Sequence, residues 1–177
     1  MHACIYSRYD EIWIPDYADS TNNLSGKLSH GGDYDHKVKY IGPLSRFSLL
    51  LSNNTIKGYH SEANYSVVAI LSGLEPQRTL FEKDLIKRYY NHDTPVLIVR
   101  GKVEGPTTTT QLGSTTLLSH IDDDQLRPIL LQAPKIIARS GYSTIMDLEI
   151  LGLLHKAELH PTPGQSEQEY LSNILRK

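Results

Sequence analysis

From Ser66 onward, short apolar runs alternate with stretches of helical periodicity, and this alternation restricts the chain to few folds. The runs SVVAILSG (66–73), PVLIVRG (95–101), TTLLSHI (115–121) and KIIARSG (135–141) have strand length and end in polar residues or glycine. AELHPTP (157–163) is a weaker fifth strand. Between them, QRTLFEKDLIKRYYN (77–91) reads as a helix, with Leu80, Phe81, Leu85 and Ile86 available for one face. DDDQLRPILLQA (122–133) reads as a helix with acids in its first turn, where the dipole favours them. Pro128 is awkward inside it and fits better in the first turn of a helix starting later. A further helix runs from Tyr142, with Ile145, Leu148 and Leu151 on one face, and QSEQEYLSNILRK (165–177) is the last. Strands alternating with helices predict an α/β fold, a Rossmann-like doubly wound parallel sheet. GPTTTTQLGSTT (105–116) is a loop or a poor edge strand.

Composition narrows the function classes. The chain has 177 residues, enough for one sizeable domain, or one domain plus part of another. A net charge of −2 gives no electrostatic case for nucleic acid. The single cysteine, Cys4, excludes an internal disulfide and points to a reducing compartment. No run of about 18 apolar residues is present to span a membrane. The start, MHACIYSRYDEIWIPD, lacks the apolar stretch of a signal peptide.

Open parallel sheets bind ligands at the carboxyl ends of their strands, so chemistry is sought in the loops that follow them. In RSGYST, Gly141 suits a tight turn, and Ser143 or Thr144 is a candidate cap for the next helix. That joint is either an ordinary capped turn or an anion site made by a bare helix N-terminus. In LSGLEPQR, Ser72 and Gly73 allow close approach to the backbone and Arg78 is placed to assist a phosphate; a plain turn is the alternative. In HIDDDQL the three aspartates read as a helix start rather than a metal site. In HPTPGQSEQEYLSN, amides and carboxylates crowd a helix start, which suits either a hydroxyl-rich ligand or a solvated first turn. His30, Asp33, Asp35 and His36 have metal-ligand chemistry but no frame to hold them, so a surface loop is expected. No metal and no cofactor is expected.

Residues 1–46 are irregular: EIWIPD and VKYIGP are strand-like runs closed by proline, with a polar loop between. Two strands and a long loop offer little core, so this segment reads as the end of something larger.

Taken in order, these stretches resemble glycosyltransferase family 28. RSGYSTIMDLEILG is similar to the family's arginine-serine-glycine motif, and PTPGQSEQEYLSN to its closing motif with a Gln-Gln-type pair. YIGPLSR resembles the segment that enters the linker, and IWIPDYADSTNNLSGKLSH looks closest to an uncharacterised bacterial subgroup. The resemblance covers about Asp10 to the C-terminus. It implies the C-terminal half of a GT-B fold: residues 1–46 as tail of the N-terminal acceptor domain and linker, and 47–177 as a nucleotide-sugar donor domain truncated at its C-terminus.

The donor-binding residues carried over from the family are Arg46, Ser72, Gly73, Ile121 (base, through its backbone), Arg139, Ser140, Gly141, Tyr142, Ser143, Thr144, Asp147 (ribose), Gln168 and Glu169 (sugar). Arg139 also suits a structural role, a salt bridge beneath its loop. Asp147 stands where the family has Glu, Glu169 where it has Gln, and LSGLEPQR is longer than the family loop and lacks its double glycine. The departures leave base and sugar open, with a UDP-sugar expected.

The implied activity is hexosyl transfer from a nucleoside diphosphate sugar to a glycan or lipid-linked acceptor, in the cytoplasm or at the inner membrane face. The fragment alone is expected to bind donor weakly, with its N-terminal residues mobile or in homodimer contacts. Rival readings are a nucleotide-sugar epimerase of the same fold and a non-catalytic donor-binding subunit of a split transferase, docking through a patch around Trp13 and Ile14.

Overall fold

The computed structural model describes residues 8–19, 21–32, 35–49 and 64–176; Cys4 and Asp33 lie outside them. The main sheet contains β3 (Val67–Ile70), β4 (Val96–Val99), β5 (Thr109–Leu112), β6 (Thr115–Leu118), β7 (Lys135–Arg139) and β8 (Ala157–His160), in the order β5-β6-β4-β3-β7-β8. All neighbours are parallel except β5 and β6. Numbered by their own succession, the five parallel strands run 3-2-1-4-5, the Rossmann order. The order reverses between β3 and β7, whose register pairs Ile70 with Ala138. The carboxyl ends of those two strands form the topological switch point.

Among the described residues, helices α1 (Gln77–Tyr89), α2 (Asp123–Gln132), α3 (Tyr142–Ile150) and α4 (Ser166–Ile174) cover both faces. Strand alternation sorts the core. Val67, Ala69, Val96, Ile98 and Ile137 pack with Phe81, Leu85 and Tyr89 of α1. Val68, Leu97, Val99, Ile136 and Ala138 pack with Leu126 and Leu130 of α2, Ile145 and Leu148 of α3, and Leu171 of α4. No helix joins β4 to β6. The chain instead runs out to β5, an antiparallel edge strand in the Thr-rich stretch, and turns back.

Two local expectations change. Leu80 is exposed, and Glu82 takes the buried position on α1 because Arg100 Nε and Nη2 donate to its Oε1 at 3.0 and 2.7 Å. Pro128 lies inside α2, past its first turn, rather than at the start of a later helix. Among the described residues no helix is long and apolar enough to cross a membrane.

The N-terminal segment forms two short parallel strands, β1 (Ile12–Ile14) and β2 (Val38–Tyr40), joined by a long loop. It buries more than two strands and a loop suggest, because Leu24 and Phe47 enter the same core as α2, α3 and α4. Polar contacts fasten it. Tyr142 donates its hydroxyl to the Pro15 carbonyl at 3.0 Å, and Lys27 N–H donates to the Tyr170 hydroxyl at 2.8 Å. The loop is organised around Asp16, wholly buried, which accepts from the amides of Tyr17, Leu24 and Ser25 and from the Ser25 hydroxyl. Burial pushes the Asp16 carboxyl up, but these hydrogen bonds outweigh it and hold its pKa below the ordinary value. His30 Nε2 lies 3.2 Å from the same carboxylate and its ring stacks on Tyr40, so His30 serves the loop.

Candidate functional site

The switch point is built from two adjacent exits. β3 leaves through buried Leu71 into exposed Ser72 and Gly73, and a Cβ on Gly73 would meet open space. β7 leaves through Arg139 and Ser140 to Gly141, the residue before α3. Gly141 has φ −71 and ψ 139, ordinary extended backbone, so its turn does not require glycine. Ser143 and Thr144 lie within the helix and neither caps it; no side chain does. The first internal bond of α3 runs from Ile145 N–H to the Gly141 carbonyl at 3.1 Å. The amides of Tyr142, Ser143 and Thr144 therefore leave the helix end without an intrahelical partner. Ser143 is exposed, and a Cβ on Gly141 would touch nothing within 4 Å.

Arg139, on the same exit, turns its side chain to the α1 face of the sheet. It is 7% exposed, donates to the carbonyls of Pro161 (2.7 Å) and Gln77 (3.2 Å), and stands 4.0 Å over the Phe81 ring. Burial lowers its pKa, and among the described residues no carboxylate pairs with it. Its side chain ties β7 to α1 and to the exit of β8. Ser140 is wholly buried and donates Oγ–H to the Gln168 carbonyl at 2.8 Å, fixing α4 beside α3.

The remaining predicted residues divide. Gln168 is turned to its own loop: Oε1 accepts from Thr162 N–H at 2.9 Å, and Nε2 donates to Gln165 Oε1. Glu169 is exposed in the first turn of α4. Ile121 follows β6 on the far side of β4 and packs against the core, away from the β3–β7 crevice. Arg78 is engaged with the Arg100 carbonyl and Glu75. Arg46 joins two helices: its Nε is 2.9 Å from Asp147 Oδ2 on α3, and its Nη1 is 3.0 Å from Asp123 Oδ1 at the start of α2. Burial raises the pKa of Asp123, which nearby Arg46 opposes. Ser45, which the sequence reading passed over, donates its hydroxyl to Asp147 Oδ1 at 2.7 Å. The only sequence signal for Ser45 is its place beside Arg46.

A cavity of about 390 Å³ adjoins this end, lined by Ile14, Pro15, Ser25 and Leu28 of the N-terminal segment, Tyr142 of α3 and Glu167 of α4. That volume is in the range of small-molecule sites. Burial pushes the Tyr142 phenol well above its ordinary pKa, so at neutral pH it is a hydrogen-bond donor. Among the described residues no group of three or more His, Cys, Asp or Glu is placed to hold a metal ion. Compared with protein-family models, with curated proteins and with solved structures, the chain gives no match.

Proposed function

We propose that this chain is the donor-binding half of a GT-B glycosyltransferase of family 28 type, taking a nucleoside diphosphate sugar, a UDP-sugar in the first instance. The observation that carries the reading is the uncapped N-terminus of α3 at the β3–β7 switch point, where β3 leaves through exposed Ser72 and Gly73. Free amides and a helix dipole both favour an anion at that place. A diphosphate bound there is stabilised most as negative charge grows on the leaving nucleoside diphosphate. Asp147, one turn into the helix, takes the ribose, and the cavity beside Tyr142 and Glu167 takes the sugar. Acceptor and catalytic base belong to the partner half of the fold.

Calorimetric titration with UDP, dTDP, GDP and their common sugar conjugates tests the reading. Saturable binding of one nucleotide, weakened by roughly 1–3 kcal/mol in Asp147→Ala, is expected. No binding of any nucleoside diphosphate overturns it.

A further inference from the structure

The carboxylate of Asp147 is held at both oxygens by the segment that leads into the sheet. Ser45 Oγ–H donates to Oδ1 at 2.7 Å and Arg46 Nε–H donates to Oδ2 at 2.9 Å. One donor on each oxygen is the pattern in which the two neighbouring hydroxyls of a ribose engage a carboxylate. The arrangement is held in place from several sides. The Ser45 hydroxyl also accepts from Phe47 N–H at 3.1 Å, Phe47 is wholly buried, and Leu44 N–H meets the Met146 sulfur at 3.3 Å. Arg46 is further tied to Asp123, yet its side chain is 45% exposed and has room to turn.

We infer that Ser45 and Arg46 are a built-in competitor for the ribose of the nucleotide. This rests on the reading of α3 as the nucleotide site. A ribonucleoside diphosphate docks on Asp147 by displacing both donors, and the released guanidinium turns to the diphosphate, which accepts its N–H groups in the bidentate manner. The exchange selects for ribose. A ribonucleotide brings two hydroxyls to replace two donors. A 2′-deoxynucleotide brings one, so one resident hydrogen bond is either kept, obstructing the site, or lost without replacement.

The test compares the chain with Ser45→Ala and Ser45→Thr, titrated calorimetrically with UDP and dUDP and with GDP and dGDP; thermal melts check that the variants fold. Ser45→Ala leaves one resident donor fewer to displace. It is expected to bind the ribonucleotide about tenfold more tightly, equivalent to about 1.4 kcal/mol. Its deoxy counterpart gains no more than that, and Ser45→Thr, which keeps the hydroxyl, stays at the parent affinity. Ribonucleotide binding by the parent chain with equal or weaker binding by Ser45→Ala overturns the competitor while the nucleotide site stands. No binding of any of the four by any of the three proteins removes the nucleotide site, and the competitor with it.

Discussion

Two glycines at the sheet's carboxyl edge have opposite physical roles, and the difference separates folding from binding. Gly101 has φ +65, and a Cβ there would lie 2.5 Å from the Leu71 carbonyl oxygen, a backbone atom that cannot swing aside. Gly101→Ala is therefore expected to lose about 1–3 kcal/mol, read as a lower urea midpoint. Gly141 has φ −71 and open space around its Cβ position. Gly141→Ala costs the fold nothing and is expected to leave the melting temperature unchanged or raise it slightly. Its methyl group would nonetheless stand over the free amides of α3, so nucleotide affinity should fall at least several-fold. A variant that melts like the parent and binds UDP like the parent would show that no ligand approaches this helix end. Arg139 is the third informative residue. Replacing it with Met takes the donor from the half-buried carbonyls of Pro161 and Gln77, at about 1 kcal/mol for each hydrogen bond lost. Denaturant unfolding of Arg139→Met reads that cost directly.

At the scale of elements, the strands and helices after Ser66 were legible because each has one unambiguous period and a clear terminator. Val96–Val99 is apolar throughout and buried on both faces, which only a central parallel strand requires. The errors fall where a tertiary partner overrides the local pattern. Glu82 is polar and reads as solvent-facing, but Arg100, brought up by β4, makes it a buried residue and leaves Leu80 outside. Ser143 and Thr144 read as caps, yet the helix begins ahead of them, and no local signal distinguishes a capping hydroxyl from one already within the first turn. The candidate site was legible as a set of loops, while its wiring was not. The Ser45, Arg46 and Asp147 contacts span 101 or 102 residues of sequence, and nothing local encodes that distance. The N-terminal segment was underestimated for the same reason, since the core it enters is built by the sheet with α2, α3 and α4, far along the chain. Phe47, wholly buried among them, anchors its end. Phe47→Ala is expected to cost about 3–5 kcal/mol. Urea unfolding reads the loss as a lower midpoint for Phe47→Ala than for the parent chain.

For the molecule as a whole, the outer half of the sheet is fastened by one carboxylate. Glu158 on β8 receives Arg88 Nη1 from α1 at 2.8 Å and His160 Nε2 at 2.8 Å, and is ion-paired with Lys135 at the start of β7. The hydrogen bond from Arg88 is the largest cause, joined by those from Lys135 and His160 against the opposing effect of burial, and the carboxyl pKa falls from 4.5 to about 2. A depressed carboxyl pKa means that the unfolded chain takes up the proton first as the solution is acidified. The stabilisation is therefore fully present above about pH 4.5 and is lost as pH falls through about 2. Glu158 is 31% exposed, and screening by water reduces the contribution to about 1 kcal/mol. Asp16 acts in the same direction, since its pKa is also held low. Acid unfolding thus strikes both the β7–β8–α1 junction and the N-terminal loop. Urea unfolding of the chain and of Glu158→Gln, repeated from pH 6 down to about pH 2, separates them. The variant should start less stable and lose stability less steeply below pH 4.5, with the two curves converging near pH 2. Parallel curves across that window would mean that the ion pairs around Glu158 are spectators. The acid lability would then belong to Asp16 and the loop it organises.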